Sequence, residues 1–244
     1  MSDGMGGYSN QQIASYLGNV PSRGNSIKFP VNIFMEGHEV GLFYGWKTNG
    51  MFQEGDTMYP INGSMSQPGD IKVLDLNGDG VVDLADRTVI GNPNPDYVYG
   101  FNVNLSYKGF SMRALFNGVE GNEIVNGNYY RFGWAEGTYR NIVADAWYDR
   151  WTPDNPSAAY PRLGYSANLF GALMDRVIED GSYVRLKSIT LNYDIPLSNN
   201  NFIDAAHVYI TGSNLFTWTD YSGYDPEITS FLWDGLLQGT DWNN

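Results

Sequence analysis

The sequence predicts an all-β chain: an open curved sheet of about six antiparallel strands, a portion of a transmembrane β-barrel, with long extracellular loops, one calcium loop and a short helix. Three observations predict it. Apolar residues alternate with a period of two, tyrosines stand at both ends of the best alternating segment, and the connections between segments are short and long in turn.

Residues 1–30 are polar and rich in Gly, Ser and Asn, with neither a basic start nor an apolar stretch that would serve as a signal peptide, so a poorly ordered lead-in is expected there. Alternation begins at residue 31. Val31, Ile33 and Met35 alternate with Asn32 and Glu36, and Val40, Leu42, Tyr44 and Trp46 with Gly41, Gly45 and Lys47. In 97–107, Tyr97, Tyr99, Phe101, Val103, Leu105 and Tyr107 point one way and Gly100, Asn102, Asn104 and Ser106 the other. Its length matches the ~9–11 residues of a tilted membrane strand, and aliphatics between terminal tyrosines match an aromatic girdle, although this strand alone also fits a soluble sandwich.

A tight turn at Lys108 and Gly109 leads to Phe110, Met112, Ala114 and Phe116, which alternate with Ser111, Arg113 and Asn117. Ile189, Leu191, Tyr193 and Ile195 form the next apolar phase, but Arg185 and Lys187 share it, which requires either a position beyond the hydrocarbon band or a bulge. The last candidate, 206–218, carries Val208, Ile210, Phe216 and Trp218, with Asn214 breaking the phase.

Connections near Gly37, near Gly109 and over 196–205 are short, whereas 49–96, 119–182 and 219–244 are long. Outer-membrane barrels sort their periplasmic turns and extracellular loops in this way, so the long segments are expected to face outward. Within the second, Tyr139, Ile142, Val143, Ala146, Trp147 and Trp151 recur at helical spacing before Thr152 and Pro153, which predicts a short helix over 139–151 with Trp147 and Trp151 on its packing face.

The segment 75–86 carries the clearest chemical motif. Asp75, Asn77, Asp79, Asp83 and Asp86 occupy positions 1, 3, 5, 9 and 12 of a calcium loop, Gly80 stands at the sharp turn, Val81 offers its carbonyl and Val82 is the apolar anchor. Four crowded carboxylates repel one another unless a cation sits among them. An all-oxygen, flexible donor set favours Ca²⁺ over Zn²⁺ and Mg²⁺, while Asp86 in place of the usual Glu weakens the case for bidentate ligation.

Composition narrows the functions further. A net charge of −13 with only 14 Lys and Arg disfavours nucleic acid as a partner. Cysteine is absent and the histidines are His38 and His207, which excludes thiolate and His-rich metal sites. No apolar run approaches the ~20 residues of a membrane helix.

With these residues in view, the chain resembles the C-terminal barrel portion of SusC/RagA-type TonB-linked outer-membrane transporters. The resemblance runs through Pro68-Gly-Asp-Ile-Lys72, the calcium loop, Asp86-Arg-Thr-Val-Ile-Gly-Asn-Pro-Asn-Pro95, Tyr99-Gly-Phe-Asn-Val-Asn-Leu-Ser-Tyr-Lys-Gly-Phe110, Ser182-Tyr-Val-Arg-Leu-Lys-Ser-Ile-Thr-Leu191, Gly212-Ser-Asn-Leu-Phe-Thr217 and Tyr221-Ser-Gly-Tyr-Asp-Pro226, so that 31–244 reads as barrel. It implies a 22-stranded barrel with an N-terminal plug, energised by the TonB complex, capped by a SusD-like surface lipoprotein, set in outer-membrane lipid and importing oligosaccharides or peptides. Neither plug nor TonB box is read in these residues. The chain is therefore expected to be a fragment, inactive alone and without catalytic residues.

Two other classes compete. A soluble, calcium-stabilised, dockerin-like binding or adhesion module would carry a second calcium loop, which is not read here. A glycan-active enzyme would use carboxylates beside aromatics, such as Asp145 and Asp149 near Trp147, across a cleft. Tyr129, Tyr130 and Trp134 are candidates for stacking on sugars, though aromatics in such loops more often pack the loop.

Overall fold

The computed structural model describes residues 12–15, 31–132, 141–164, 173–197, 203, 205–227 and 239–241. Its elements in chain order are β1 (Gln12–Ser15), β2 (Asn32–Met35), β3 (Leu42–Gly45), β4 (Thr48–Met51), β5 (Pro60–Ile61), β6 (Ser64–Met65), β7 (Ile71–Val73), β8 (Thr88–Gly91), β9 (Tyr97–Tyr107), β10 (Phe110–Glu120), β11 (Glu123–Asn126), α1 (Gly127–Phe132), α2 (Ala144–Tyr148), β12 (Ile178–Asp180), β13 (Tyr183–Asp194), β14 (His207–Thr219) and β15 (Thr240–Asp241). They fall into two units: Met1–Asn94 with Glu123–Glu179 and Ser222–Asn244, and Pro95–Asn122 with Asp180–Tyr221. The long connections gather in the first unit, and the long strands make the second.

In the second unit, four antiparallel strands lie in the order β14-β13-β10-β9. Lys108 and Gly109, both with positive φ, turn β9 into β10, and Phe110 pairs with Tyr107. Because partners across a sheet share a face, the register carries the apolar phase from strand to strand. Leu105, Met112, Leu191 and Ile210 form one row, and Val103, Ala114, Ile189 and Gly212 the next. Phe101 stacks on Phe116 with ring centroids 4.6 Å apart, and Phe110 on Tyr193 at 4.3 Å.

The phase conflict in β13 is resolved by a bulge. Leu115 pairs with Ser188 while its neighbour Phe116 pairs with Leu186, which leaves Lys187 as the extra residue. One extra residue reverses the phase, so Leu186 and Val184 join the apolar face and Arg185 pairs with Asn117 and Thr217 on the other. There the Arg185 side chain is buried and its Nε donates to Thr217 Oγ1 at 2.9 Å. Opposite the bulge, β14 inserts two residues between Ser213 and Phe216, with Asn214 at φ 51°, and an even insertion leaves its phase unchanged.

The first unit is organised around a core that sequence alternation does not separate from a membrane wall. Phe43, Trp46, Phe52, Ile71, Val73, Val82, Leu173 and Met174 are sealed from solvent, drawn from segments more than a hundred residues apart. Two of the six expected strands belong here. Segments 31–36 and 40–47 supply β2 and β3, four residues each, in the sheet order β1-β2-β3-β8. Four residues rise ~13 Å, too short for a hydrocarbon band of ~25 Å. Both of their faces are covered, since Asn32 and Ile33, and likewise Leu42 and Phe43, are all buried. The wall strands among the described residues are β9, β10, β13 and β14.

Within the lead-in, Gln12–Ser15 form a strand that pairs with β2, because the edge of β2 offers backbone partners whatever the local composition; the remainder of 1–30 lies outside the described residues. One other expectation is corrected. The helix expected over 139–151 is described only as Ala144–Tyr148, with 139–140 outside the described residues. It ends because the next residues take partners elsewhere: Trp151 N–H donates to Tyr160 O at 2.8 Å and Tyr160 N–H to Asp149 O at 3.1 Å. Trp151 is buried, but Trp147 is 48% exposed beneath the Arg150 guanidinium, so it is not a packing residue.

The seat of Trp151 is Gly69. Gly69 has φ +83°, and a Cβ there would lie 2.4 Å from Trp151 Cε3 and 2.9 Å from Arg162 Cβ. Gly63 has the same φ of +83° with nothing within 4 Å. Gly69→Ala should therefore cost about 2–5 kcal/mol, strain plus overpacking, and Gly63→Ala only about 1–2 kcal/mol of strain. Chemical unfolding of the intact protein checks the difference, and equal losses would remove the packing role of Gly69.

Candidate functional site

Residues 75–86 run from β7 to β8 and end in a 3-10 turn, Leu84–Asp86. The oxygen-bearing side chains fold back on the loop's own amides as Asx turns. Asp75 accepts from Gly78 N–H at 2.7 Å and Gly80 N–H at 2.8 Å. Asn77 Oδ1 accepts from Asp79 N–H at 2.8 Å, while Asp79 accepts from Val81 N–H at 2.9 Å and the Asn77 side-chain amide at 3.1 Å. Asp83 caps the 3-10 turn by accepting from Ala85 N–H at 2.7 Å. Gly80 makes the sharp bend at φ +86°.

Asp86 closes the loop and is completely buried. Its Oδ1 accepts from Leu76 N–H at 2.8 Å and Asn77 N–H at 3.2 Å, and its Oδ2 from Asp83 N–H at 2.9 Å. Val82 is buried, as the apolar anchor should be. Its N–H donates to Pro60 O and its carbonyl accepts from Asn62 N–H, both at 2.9 Å, while Val81 beside it is exposed. Trp46 Nε1 donates to Asp83 O at 2.9 Å, and the Arg87 guanidinium lies 4.7 Å from the Tyr44 ring and 5.1 Å from the Trp46 ring. The loop is thus fastened to the core through Val82, Asp83 and Arg87.

The chemistry of this donor set fits a hard cation. Asp75, Asp79, Asp83 and Asp86 form no ion pair among the described residues, so their negative charge stands uncompensated. Burial raises the Tyr59 phenol above its ordinary pKa, and the charges of Asp75, Asp56 and Asp86 add to the shift. Among the described residues no three His, Asp or Glu side chains are drawn together as a ready metal cage. The loop's amides hold those oxygens instead, and a carboxylate oxygen that accepts one hydrogen bond keeps a second lone pair.

The other residues singled out in the sequence go separate ways. Asp149 accepts from the Asn155 side-chain amide at 3.2 Å and Ala159 N–H at 3.1 Å, which holds the 150–160 segment together. Tyr129 lies beside Tyr160, ring centroids 5.8 Å apart, at a cavity that Asp145 also lines. Trp134 and the Tyr130 side chain lie outside the described residues. Sequence reasoning missed Asn126, Glu179 and Ser222 in that cavity: the Glu179 carboxylate accepts from Asn126 Nδ2 at 2.8 Å and from Ser222 N–H and Oγ, each at 2.8 Å. No local pattern links residues so far apart in the chain.

Asp86 and Asp79 should separate folding from ligation. Asp86→Ala removes a completely buried carboxylate and leaves the amides of Leu76, Asn77 and Asp83 without this acceptor, and should cost about 3 kcal/mol or more even in chelator. Asp79→Ala removes an exposed Asx turn and should cost under about 1 kcal/mol in chelator. Unfolding of the intact protein in chelating buffer checks this, and an equal loss in both variants would deny Asp86 its structural role.

No protein-family model matches the chain. It is 35% identical over 211 residues to TonB-dependent receptor P3 of Formosa agariphila, covering 84% of this chain and 20% of that receptor. TonB-dependent receptor P26 of the same organism is 36% identical over 170 residues, covering 69% and 17%. TonB-dependent receptor SusC of Bacteroides thetaiotaomicron is 29% identical over 217 residues, covering 86% and 19%. The RagAB peptide importer in its closed-closed state matches with a TM-score of 0.63 at 26% identity, over 80% of this chain and 21% of that one. A further structure of the RagAB peptide transporter matches with a TM-score of 0.66 at 23% identity, over 89% and 24%, and shows the fold alone. The chain spans about a fifth of the length of the curated relatives it matches. On these likenesses the chain is recognised as a portion of a TonB-dependent receptor of the SusC/RagA type.

Proposed function

We propose that this chain supplies wall and outward loops to a TonB-dependent outer-membrane importer, which takes up oligosaccharides or peptides together with a SusD-like surface lipoprotein and is energised by the TonB complex. The observation that carries the reading is the apolar face of the four long strands. Phe110, Ile210 and Phe216 keep 62%, 69% and 59% of their surface on that face. In water such a patch is an aggregation liability, whereas in hydrocarbon it is the expected outer surface of a barrel. Among the described residues β9 and β14 pair on one side only, and their free edges call for further strands because lipid cannot hydrogen-bond backbone. The same face speaks against the soluble dockerin-like module. The likeness to a peptide importer supports the peptide class of substrate, and the chain's part in uptake is positional rather than chemical.

Within this reading the loop 75–86 takes Ca²⁺, with Asp75, Asn77, Asp79, the Val81 carbonyl, Asp83 and Asp86 as its oxygen donors. The uncompensated carboxylates and the all-oxygen donor set support it. The cation's role is to brace the outward loop.

Two measurements test these proposals. Val103 sits in the middle of β9 in the apolar phase and Asn102 in the polar one, so Val103→Arg should cost about 2–4 kcal/mol in unfolding from lipid vesicles and Asn102→Arg much less. Equal penalties at the two positions would sink the membrane assignment of this face. Calorimetry of the intact receptor should show calcium binding that Asp79→Ala weakens at least tenfold, about 1.4 kcal/mol. Undiminished affinity in that variant would withdraw the calcium assignment.

A further inference from the structure

A second site lies in the first unit, in the cavity of about 450 Å³ that Tyr129, Asp145, Tyr160, Glu179 and Tyr224 line. Among the described residues that line it there is no Lys, Arg or His. Its charge is negative at two places of different character. Glu179 is held by Asn126 and Ser222 through three hydrogen bonds of 2.8 Å and acts as a fixed background charge. The Asp145 side chain, exposed on α2, has no hydrogen-bond or ion-pair partner among the described residues. Its carboxylate is available to a ligand.

The remaining lining adds two demands. Tyr129 and Tyr160 present aromatic rings, whose faces attract a cation. Burial pushes the Tyr160 phenol up, and the neighbouring Tyr129 and the charges of Asp145 and Asp149 add to the shift. Asn128, which also lines it, has a buried Nδ2 without an acceptor among the described residues. A buried donor left alone costs about 1–3 kcal/mol, so a ligand that brings an acceptor gains from this position. A neutral sugar would meet Asn128 but leave Asp145 without a counter-charge. A bare cation would meet Asp145 but leave Asn128 unpaired.

We propose that this cavity binds a primary ammonium that has an oxygen acceptor beside it, with Asp145 pairing the charge, the Tyr129 and Tyr160 rings flanking it and Asn128 Nδ2 donating to the oxygen. Two sources offer this chemistry: an amino sugar, with its neighbouring hydroxyl, and a free peptide amino terminus, with its neighbouring carbonyl. Either belongs to a substrate class of the proposed importer, but the cavity's preference for ammonium holds or fails independently of transport.

The test is calorimetry on the intact receptor in detergent, with four probes: glucosamine, N-acetylglucosamine, glycinamide and N-acetylglycinamide. At least one ammonium probe should bind about tenfold tighter than its acetylated partner, as expected of one charge-assisted contact. A preference for glucosamine assigns the amino sugar, and a preference for glycinamide the amino terminus. Asp145→Asn should abolish the gap between charged and acetylated probes with an unchanged melting temperature, because that side chain is exposed and unpaired. Tyr129→Phe should keep binding, since the ring remains, whereas Tyr129→Ala should weaken it. Acetylated probes that bind equally well, an Asp145→Asn variant that keeps the gap, or no binding of either ammonium probe at millimolar concentration would each overturn the proposal.

Discussion

Trp46 holds the first unit together. Its side chain is completely buried, its Nε1 donates to Asp83 O at 2.9 Å, its backbone N–H donates to Leu173 O at 2.9 Å and its carbonyl accepts from Asp175 N–H at 3.1 Å. Those partners belong to the two long connections 49–96 and 119–182. A buried indole must place its N–H on an acceptor, and here that requirement brings the acidic loop to the core. Asp175 extends the same junction, accepting from Thr48 N–H at 3.1 Å and Thr48 Oγ1 at 2.6 Å. Segments that read as separate loops therefore behave as one folded body, whose interior is as apolar as that of a soluble domain.

The sheet of long strands obeys a different constraint, that every strand keep its apolar residues on one face. β9 and β10 meet it by alternation over most of their length, with Val98, Leu115 and Val119 in the other phase. β13 meets it only through the bulge at Lys187, which turns an apparent violation at Arg185 into compliance. The reversal places a buried guanidinium on the polar face beside Thr217, where an unpaired charge in hydrocarbon would be far more costly. The sequence posed this choice between a bulge and an end position, and only the cross-strand register decides it.

What was legible in the sequence divides by distance along the chain. Within 75–86 the bend at Gly80 and the buried Val82 were legible because the residues are consecutive. The long strands were legible because eleven or more residues of alternation identify a face. The segments 31–36 and 40–47 were misread because a short strand covered on both sides and a wall strand begin with the same alternation, and strand length is set by neighbours. Trp147 and Trp151 were assigned one role from helical spacing, but the pairing of Trp151 with Tyr160 ends the helix between them. The cavity was illegible for a stronger reason: Asn126, Asp145, Tyr160, Glu179 and Ser222 meet only after the first unit has assembled.

The chemistry of Asp86 bears on how strongly the proposed calcium loop would hold its ion. Oδ1 accepts two backbone hydrogen bonds, from Leu76 and Asn77, and so has both lone pairs engaged. Oδ2 accepts one, from Asp83, and keeps one lone pair. Asp86 can then offer a cation a single bond unless it surrenders amides that are costly to leave unpaired. A Glu at this position would reach further and offer two. Asp75 and Asp79 differ, since each of their oxygens accepts one hydrogen bond and retains one lone pair, so metal and amides do not compete there. The same side chain that makes the loop rigid would therefore limit the affinity of the proposed site, as in the weak sites suited to calcium-rich surroundings outside the cell rather than in tight cytosolic buffers.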